Sequence, residues 1–261
     1  MVEPGASNDA HFTVLAVGCI AALISATGHE AVGHGLTCLA VGGRITLLTT
    51  THFQCDGGSA LVDAAGPAMN LVLAGLGALG LGLFRRSAPA LRLFFLALCA
   101  FNIFWFAGEA LRSSLTTIDD EAALARDLDW PAWWRGACLV SALAIYAAGV
   151  WRLVDPVRRF ALGPTDTDGA TRARMLLAGG AVALAVAGAC WARDRTGGGW
   201  EGLLSVGAAS APLLISARVA VRRGPLGEPA AVRASAVWMG LAIAGLVLFC
   251  LTQGRGVGPQ A

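Results

Sequence analysis

Long apolar runs alternate with short polar stretches along most of this 261-residue chain. A membrane-spanning helix needs about 20 predominantly apolar residues. The pattern therefore predicts an all-α polytopic membrane protein with six or seven transmembrane helices, of which the sixth is short and carries several serines and a proline. The candidate spans are 12–41, 59–84, 89–111, 133–153, 173–192, 203–220 and 232–251.

The polar stretches suggest how the chain is divided. Residues 43–57 (GRITLLTTTHFQCDG) are rich in β-branched residues and bounded by glycines, which predicts a short β-strand or hairpin after the first helix. Residues 154–172 contain proline, glycine and aspartate turn signals and are predicted to be a polar linker. We therefore expect an N-terminal tail (1–11), a membrane core of four helices (12–153), the linker, and C-terminal membrane helices of unknown role (173–261).

Composition excludes an ordinary soluble enzyme. Hydrophobic residues make up 56% of the chain and charged residues 14%, with a mean hydropathy of +0.65, whereas soluble domains carry roughly 25% charged residues. The net charge of +2 is too small to indicate a nucleic-acid partner. All the basic residues are arginine, which is typical of GC-rich bacterial genomes, so we expect a bacterial cytoplasmic membrane. The distribution of arginines between the loops weakly favours a cytoplasmic N-terminus.

The cysteines and the tryptophan cluster are predicted to have structural roles. None of the seven cysteines forms a CxxC pair and most lie in apolar runs, so we predict small buried hydrophobes and no disulfide framework. Trp130, Trp133 and Trp134 precede the fourth helix and are predicted to form an interfacial aromatic belt rather than a substrate cage.

The strongest chemical signal is Gly28-His29-Glu30-Ala31-Val32-Gly33-His34, at the end of the first apolar run. Ionisable residues at membrane depth are costly and usually functional. Imidazoles are good zinc ligands, and a neighbouring carboxylate can serve as general base toward a water molecule at the metal. A lone interfacial histidine would need no such explanation, but His-Glu-x-x-x-His favours a metal site.

The two histidines are five residues apart, not four as in HExxH. In a regular α-helix this spacing separates them by about 140°. A one-residue π-bulge would bring them together, and Gly33 would ease that distortion. HEAVGH is similar over six residues to the HELLGH of dipeptidyl peptidase III, in which both histidines bind zinc. The alternative pairs Glu30 with His34 as ligands and leaves His29 outside the ligand set.

The surrounding sequence resembles the site-2 protease family of intramembrane zinc metalloproteases. HEAVGHGLTCLAVGGRITLL is similar to the family's first core helix and following strand, Ala65-Gly66-Pro67-Ala68-Met69-Asn70 to its GPxxN element, and Phe101-Asn102-Ile103-Phe104 to its FNLLP segment. The order and spacing match over about residues 12–120. Two departures stand out, namely the extra residue in HEAVGH and the absence of the LDG motif that supplies the family's aspartate ligand.

The resemblance implies a zinc endopeptidase that hydrolyses transmembrane protein or peptide substrates. His29, His34 and an acidic residue would hold Zn²⁺, with Glu30 as general base and Asn70 stabilising the oxyanion. Asp120 is the preferred third ligand, and Asp119 and Glu109 are the alternatives. Asp119 and Asp120 can also be explained as helix N-caps, and Glu109 as the partner of Arg112 on its own helix.

Other assignments remain open from the sequence. Asn70 can instead bond a neighbouring helix, and His52 with Gln54, Cys55 and Asp56 forms an alternative ligand cluster. The strand around Ile45–Thr51 is expected to bind unwound substrate by edge pairing. Competing functions are a non-proteolytic scaffold, a metal-binding or transport protein, and a metalloenzyme acting on a small amphiphile.

Overall fold

The computed structural model of the chain describes residues 10–116, 119–159, 168–192, 210–224 and 232–258. It is mostly helical with one two-stranded sheet. We label its elements α1 (His11–Ala40), β1 (Arg44–Leu48), β2 (Phe53–Asp56), α2 (Ala60–Leu83), α3 (Pro89–Thr116), α4 (Asp120–Asp127), α5 (Trp134–Arg158), α6 (Asp168–Ala192), α7 (Pro212–Arg223) and α8 (Ala236–Leu251).

Four of the described helices, α1, α2, α3 and α5, are long and apolar enough to cross a membrane. Another apolar helix, α8, has 16 residues. The prediction of a multi-pass membrane protein agrees with these four helices, while the predicted total of six or seven is not confirmed. The weak sixth candidate, 203–220, lies partly outside the described residues and corresponds to the 12-residue helix α7.

The helices cross the predicted division of the chain. Helix α5 continues to Arg158, five residues past the expected end of the core at 153, and α6 already begins at Asp168. Residues 154–158 thus belong to the end of α5 and residues 168–172 to the start of α6, while the rest of the predicted linker, apart from Arg159, lies outside the described residues.

Helix α1 is the centre of the bundle and packs against α3, α6 and α8. Its buried face includes Val14 and Val17, and the facing helices contribute Phe101, Phe104 and Leu176, all at most 1% exposed. Many of the α1 residues between them are alanine, glycine or cysteine, which permit close helix approach in a membrane. The first half of α1 thus forms the rigid support for the polar segment that follows.

The predicted hairpin is present between α1 and α2. Strands β1 and β2 pair antiparallel, with a register shift between Ile45 and Leu47. The outer edge of β1 is occupied at Leu48, which exchanges two 2.8 Å backbone hydrogen bonds with Val257 near the C-terminus. Edge pairing at this point of β1 is therefore already satisfied within the chain.

A disulfide between Cys38 and Cys55 fastens the hairpin to the end of α1, with Cα atoms 6.0 Å apart. The expectation that these two cysteines are free was wrong. The chain reverses direction at Gly42 and Gly43, so residues 17 apart in sequence meet across the turn. Sequence spacing alone does not reveal this contact. Among the described cysteines, Cys19, Cys99, Cys138 and Cys250 form no disulfide.

Candidate metal centre

The histidine motif lies in a π-helical segment, Thr27–Gly35, inserted into α1. A π-helix bonds residue i to residue i+5, so residues five apart lie one above the other. The ring centroids of His29 and His34 are consequently 4.8 Å apart. The expected π distortion is present, and it extends over nine residues rather than one turn.

Three donor atoms converge beside this segment. His29 Nε2 and His34 Nε2 are 3.2 Å apart, and Asp120 Oδ2 lies 3.2 Å from the first and 3.1 Å from the second. Both histidines are buried, and Asp120 comes from α4, more than 80 residues later in the chain. This group of one carboxylate and two imidazoles is arranged to hold a metal ion.

The ring of His34 is held so that one nitrogen faces the donor group. Its Nδ1 lies 2.6 Å from the Val62 carbonyl oxygen, to which an N–H at that position donates. The lone pair of Nε2 then points toward His29 and Asp120, as metal-binding histidines require. Phe53 of β2 stacks on the His34 ring at 5.3 Å, and Trp105 of α3 stacks on His29 at 5.2 Å.

Two glycines allow α1 and α2 to approach each other at the site. A Cβ on Gly33 would lie 2.7 Å from the Ala65 carbonyl oxygen, and a Cβ on Gly66 would overlap the imidazole of His34 and lie 2.8 Å from Cε1 of His29. Any larger residue at 66 would therefore have to displace the donor atoms. The glycine of the GPxxN element thus has a steric role at the donor group.

Asp120 is placed by the start of α4. The preceding residue, Asp119, has φ 87°, a backbone conformation that non-glycine residues rarely adopt, and its carboxylate pairs with Arg112. Its side chain makes no N-cap hydrogen bond, so the capping explanation does not hold for Asp119. Burial would raise the pKa of Asp120, but when the imidazoles of His29 and His34 are protonated, their hydrogen bonds and charges outweigh burial and hold that pKa below the usual range.

Glu30 lines the same cavity as the three donor residues. The cavity has a volume of about 340 Å³ and is bounded by α1, α3, the hairpin turn and the start of α4. Glu30 is 5% exposed and lies between the two histidines in the π segment. A carboxylate in this position can exchange a proton with a water molecule that occupies the cavity beside the donor atoms.

Glu109, an alternative third ligand, also reaches this cavity. Its Oε1 accepts a 2.6 Å hydrogen bond from Trp105 Nε1 and lies 3.5 Å from His29 Nε2. The expected pairing of Glu109 with Arg112 was wrong, since Arg112 pairs with Asp119. Glu109 does not belong to the group of mutually close donor atoms, which favours Asp120 as the third ligand.

The alternative cluster around His52 is not assembled. His52 lines the cavity, and its Nδ1 is 3.1 Å from Thr51 Oγ1. Cys55 is held in the disulfide and Asp56 pairs with Arg44. These two side chains are therefore engaged elsewhere, and His52 remains a wall residue outside the described donor group.

The two asparagines of the motifs lie outside the cavity wall. Asn70 is fully buried one turn beyond Gly66, and its side-chain amide has no hydrogen-bond partner. Asn102 donates from Nδ2 to Ser25 Oγ and to the Leu98 carbonyl oxygen, both at 2.8 Å, and so ties α3 to α1. The structure thus gives Asn102 a packing role and does not bring Asn70 into the cavity lining.

Comparison with protein-family models, curated proteins and solved structures found no match to this chain. The inference about function therefore rests on the motifs and on the geometry of this site. Phe53, the Val62 carbonyl and Trp105 contribute to that geometry and were not predicted. Their sequence surroundings carry no signal, because each reaches the site only through long-range packing.

Proposed function

We propose that the protein is an intramembrane zinc metalloendopeptidase of the site-2 protease type that hydrolyses peptide bonds of membrane-embedded substrates. The observation that carries this proposal is the triangle of His29 Nε2, His34 Nε2 and Asp120 Oδ2, which shares its cavity with Glu30. The resemblance of residues 12–120 to that family supports the same conclusion.

The donor set fits zinc. Zinc takes imidazole nitrogen and carboxylate oxygen in tetrahedral sites, and catalytic sites combine three protein ligands with an open position. Ligands about 2.0 Å from a tetrahedral zinc stand roughly 3.3 Å from one another, close to the 3.1 and 3.2 Å edges of the triangle. Other divalent metals also bind imidazole, and mass spectrometry of the purified protein distinguishes them from zinc.

In the proposed mechanism, His29, His34 and Asp120 would hold zinc, which would supply Lewis-acid activation of the scissile carbonyl and of a water molecule. Glu30 takes a proton from that water and delivers it to the leaving amine. The buried position of Glu30 limits competition from bulk water. Asn70 has two uncommitted amide hydrogens but lies outside the cavity wall, so its oxyanion role requires a movement of α2 or of the substrate toward it.

Peptide bonds in a membrane helix have their carbonyls already hydrogen-bonded, so the substrate has to unwind before cleavage. Because Val257 occupies β1 at Leu48, we assign substrate pairing to the outer edge of β2. In the described residues β2 pairs only with β1, and its first residue, Phe53, lines the cavity. An extended peptide added there would pass beside the donor atoms.

We also propose that α6 and α8 complete a six-helix membrane bundle. Both pack against α1, and α8 is almost wholly apolar over its 16 residues. A bacterial cytoplasmic membrane remains the proposed location.

Metal content per chain tests the site directly. We expect near-stoichiometric zinc in the purified protein by mass spectrometry, and at least tenfold weaker retention in His29→Ala, His34→Ala and Asp120→Ala. His52→Ala is the matched control, since His52 lines the same cavity outside the donor group. Its zinc content should equal that of the wild type. A folded wild-type protein that binds no metal would favour the scaffold function instead.

Cleavage separates an enzyme from a metal-binding protein. Glu30→Gln should keep its zinc yet cleave single-span reporter proteins at least 100-fold more slowly, the usual contribution of a general base. Unchanged cleavage by this variant would contradict the role of Glu30. A zinc-loaded wild type that cleaves no member of a broad reporter panel would favour transport or scaffolding.

A further inference from the structure

A second, apolar groove opens beside the metal centre between α2 and α5. Its volume is about 700 Å³, and α3 forms its floor while α4 closes one end. Most of its lining side chains are apolar, including Phe106, Leu124 and the three tryptophans that precede and begin α5. The helix faces around its mouth carry exposed apolar residues such as Leu71 and Val140. With α2 and α5 as membrane spans, this exposed apolar surface would face the hydrocarbon of the bilayer.

This groove adjoins the candidate metal cavity. Asp63 and Asp120 line both spaces, so the wall between them includes the proposed third ligand. Another apolar groove lies between α1, α2 and α8, and shares no lining residue with the metal cavity. The shared wall thus distinguishes the α2/α5 groove from an ordinary gap between lipid-facing helices.

We propose that the α2/α5 groove binds an unwound apolar stretch of the substrate polypeptide, on one side of the bond to be cleaved. This inference rests on the proposed function and adds the chemistry of the residues that the site selects. An occupant of the groove would contact Asp120 and the α4 helix at one end and lipid at the other. Polypeptide from the bilayer would then reach the metal centre without crossing the polar hairpin.

The volume limits how much polypeptide fits. The atoms of a residue occupy about the same volume in an extended chain as in a helix, and a helix about 10 Å wide with 1.5 Å rise per residue gives roughly 120 Å³ per residue. A groove of about 700 Å³ therefore takes about six residues, far fewer than the roughly 20 of a full span. The groove is accordingly a subsite for the end of a hydrophobic segment and selects large apolar side chains there.

Cys138, a free cysteine in the groove wall, provides a native handle for the test. Cys19, Cys99, Cys190 and Cys250 are replaced by serine in Glu30→Gln protein, so that binding is measured without cleavage. The probes are synthetic peptides of about 20 leucine and alanine residues flanked by arginines. Each carries one pyridyl-disulfide-activated cysteine, at a position stepped along the apolar segment. The Cys138 thiol displaces pyridinethione and forms a mixed disulfide with a bound probe.

We expect Cys138 to react at least tenfold faster with cysteines near one end of the probe than with those in its middle. Ala137→Trp and Ala68→Trp, which fill the groove from opposite walls, should remove this preference. Ala147→Trp, exposed on α5 outside the groove, should keep it. A Cys138→Ser protein with Leu248→Cys, in the separate groove at α8, should react equally along the probe.

Equal reaction of Cys138 at all probe positions would overturn the proposal. An activated thiol on a lipid acyl chain that reacts as fast as the best peptide, and competes with it, would assign the groove to lipid instead. The outcome is separable from that of the proposed function, because zinc content and wild-type cleavage are measured independently. Position-dependent crosslinking in a protein that binds no zinc would support the proposal that the groove binds polypeptide and would contradict the proposed protease function.

Discussion

At the scale of single residues, the geometry of the candidate metal centre depends on small side chains as much as on the three donor residues. Gly33 and Gly66 let two membrane helices meet at backbone distance, and both imidazoles lie over the position where Gly66 lacks a Cβ. Close packing of this kind is rigid, so a single methyl group cannot be absorbed without moving the rings.

Gly66→Ala should therefore lower zinc affinity at least tenfold, because the added methyl would displace His34 from the Asp120 carboxylate. Metal titration with a competing chelator measures this change. Gly75→Ala is the matched control on the same helix, since a Cβ at 75 meets nothing within 4 Å. Wild-type zinc affinity in Gly66→Ala would show that the site does not require the observed helix contact.

The two carboxylates near His29 Nε2 illustrate how neighbouring residues determine the role of a side chain. Glu109 and Asp120 are both within 3.5 Å of His29 Nε2. Glu109 is fixed by the indole of Trp105, whereas Asp120 also reaches His34. Both residues are carboxylic acids, and only the placement of the backbone puts Asp120 in the candidate donor group and Glu109 in the cavity wall.

At the scale of elements, the β-hairpin covers one side of the candidate metal centre, and the disulfide attaches the hairpin to α1. Phe53 at the start of β2 stacks on His34, and Cys55 lies two residues further along the same strand. Fixing Cys55 to Cys38 therefore restrains the ring that covers one face of the metal centre. The hairpin is bound to the rest of the chain at its other edge by Val257.

Removal of the disulfide in Cys55→Ser should lower stability by about 3 kcal/mol, the chain-entropy estimate for a loop of this size. Thermal unfolding in detergent measures the loss. Reductant should lower the melting temperature of the wild type and leave that of Cys55→Ser unchanged. Cys99→Ser, which removes a free cysteine, should stay as sensitive to reductant as the wild type. Insensitivity of the wild type would mean that the bond does not form.

At the scale of the whole molecule, the four described spans divide the loops and helix ends into two groups, one on each side of the membrane. The hairpin, the end of α3, α4 and the start of α5 lie on one side. Arg85, Arg86 and Arg158 lie at the helix ends of the other side. Disulfides persist in oxidising compartments, and arginines favour the cytoplasmic side. The disulfide therefore predicts that the mouth of the candidate metal cavity faces the extracytoplasmic side, and the arginines favour this only weakly, because Arg44, Arg112 and Arg135 lie on the hairpin side.

Labelling with a membrane-impermeant maleimide in intact cells tests this orientation. A cysteine introduced at Ala132, between α4 and α5, should be labelled directly. A cysteine at Ala88, between α2 and α3, should be labelled only after lysis. Both positions are exposed, so burial does not bias the comparison. The opposite pattern would place Cys38 and Cys55 in a reducing compartment and contradict the oxidised hairpin.

The sequence by itself determined the features that depend on local pattern. Apolar runs of helical length predicted the membrane helices, and glycine-bounded β-branched residues predicted the hairpin. The five-residue spacing of His29 and His34 predicted the π segment, because helix geometry alone relates that spacing to ring position. Each of these inferences concerns residues within about one element of each other, where covalent geometry restricts the outcome.

Only the tertiary structure decided the features that depend on contacts between elements. It grouped Asp120 rather than Glu109 with the two histidines, joined Cys38 to Cys55, made Gly66 the contact surface of the imidazoles and left Asn70 outside the cavity wall. Asp120 is 86 residues from His34 in the chain. Their meeting depends on how α2, α3 and α4 pack around α1, and packing is a property of all the side chains at those interfaces together, which no local motif encodes.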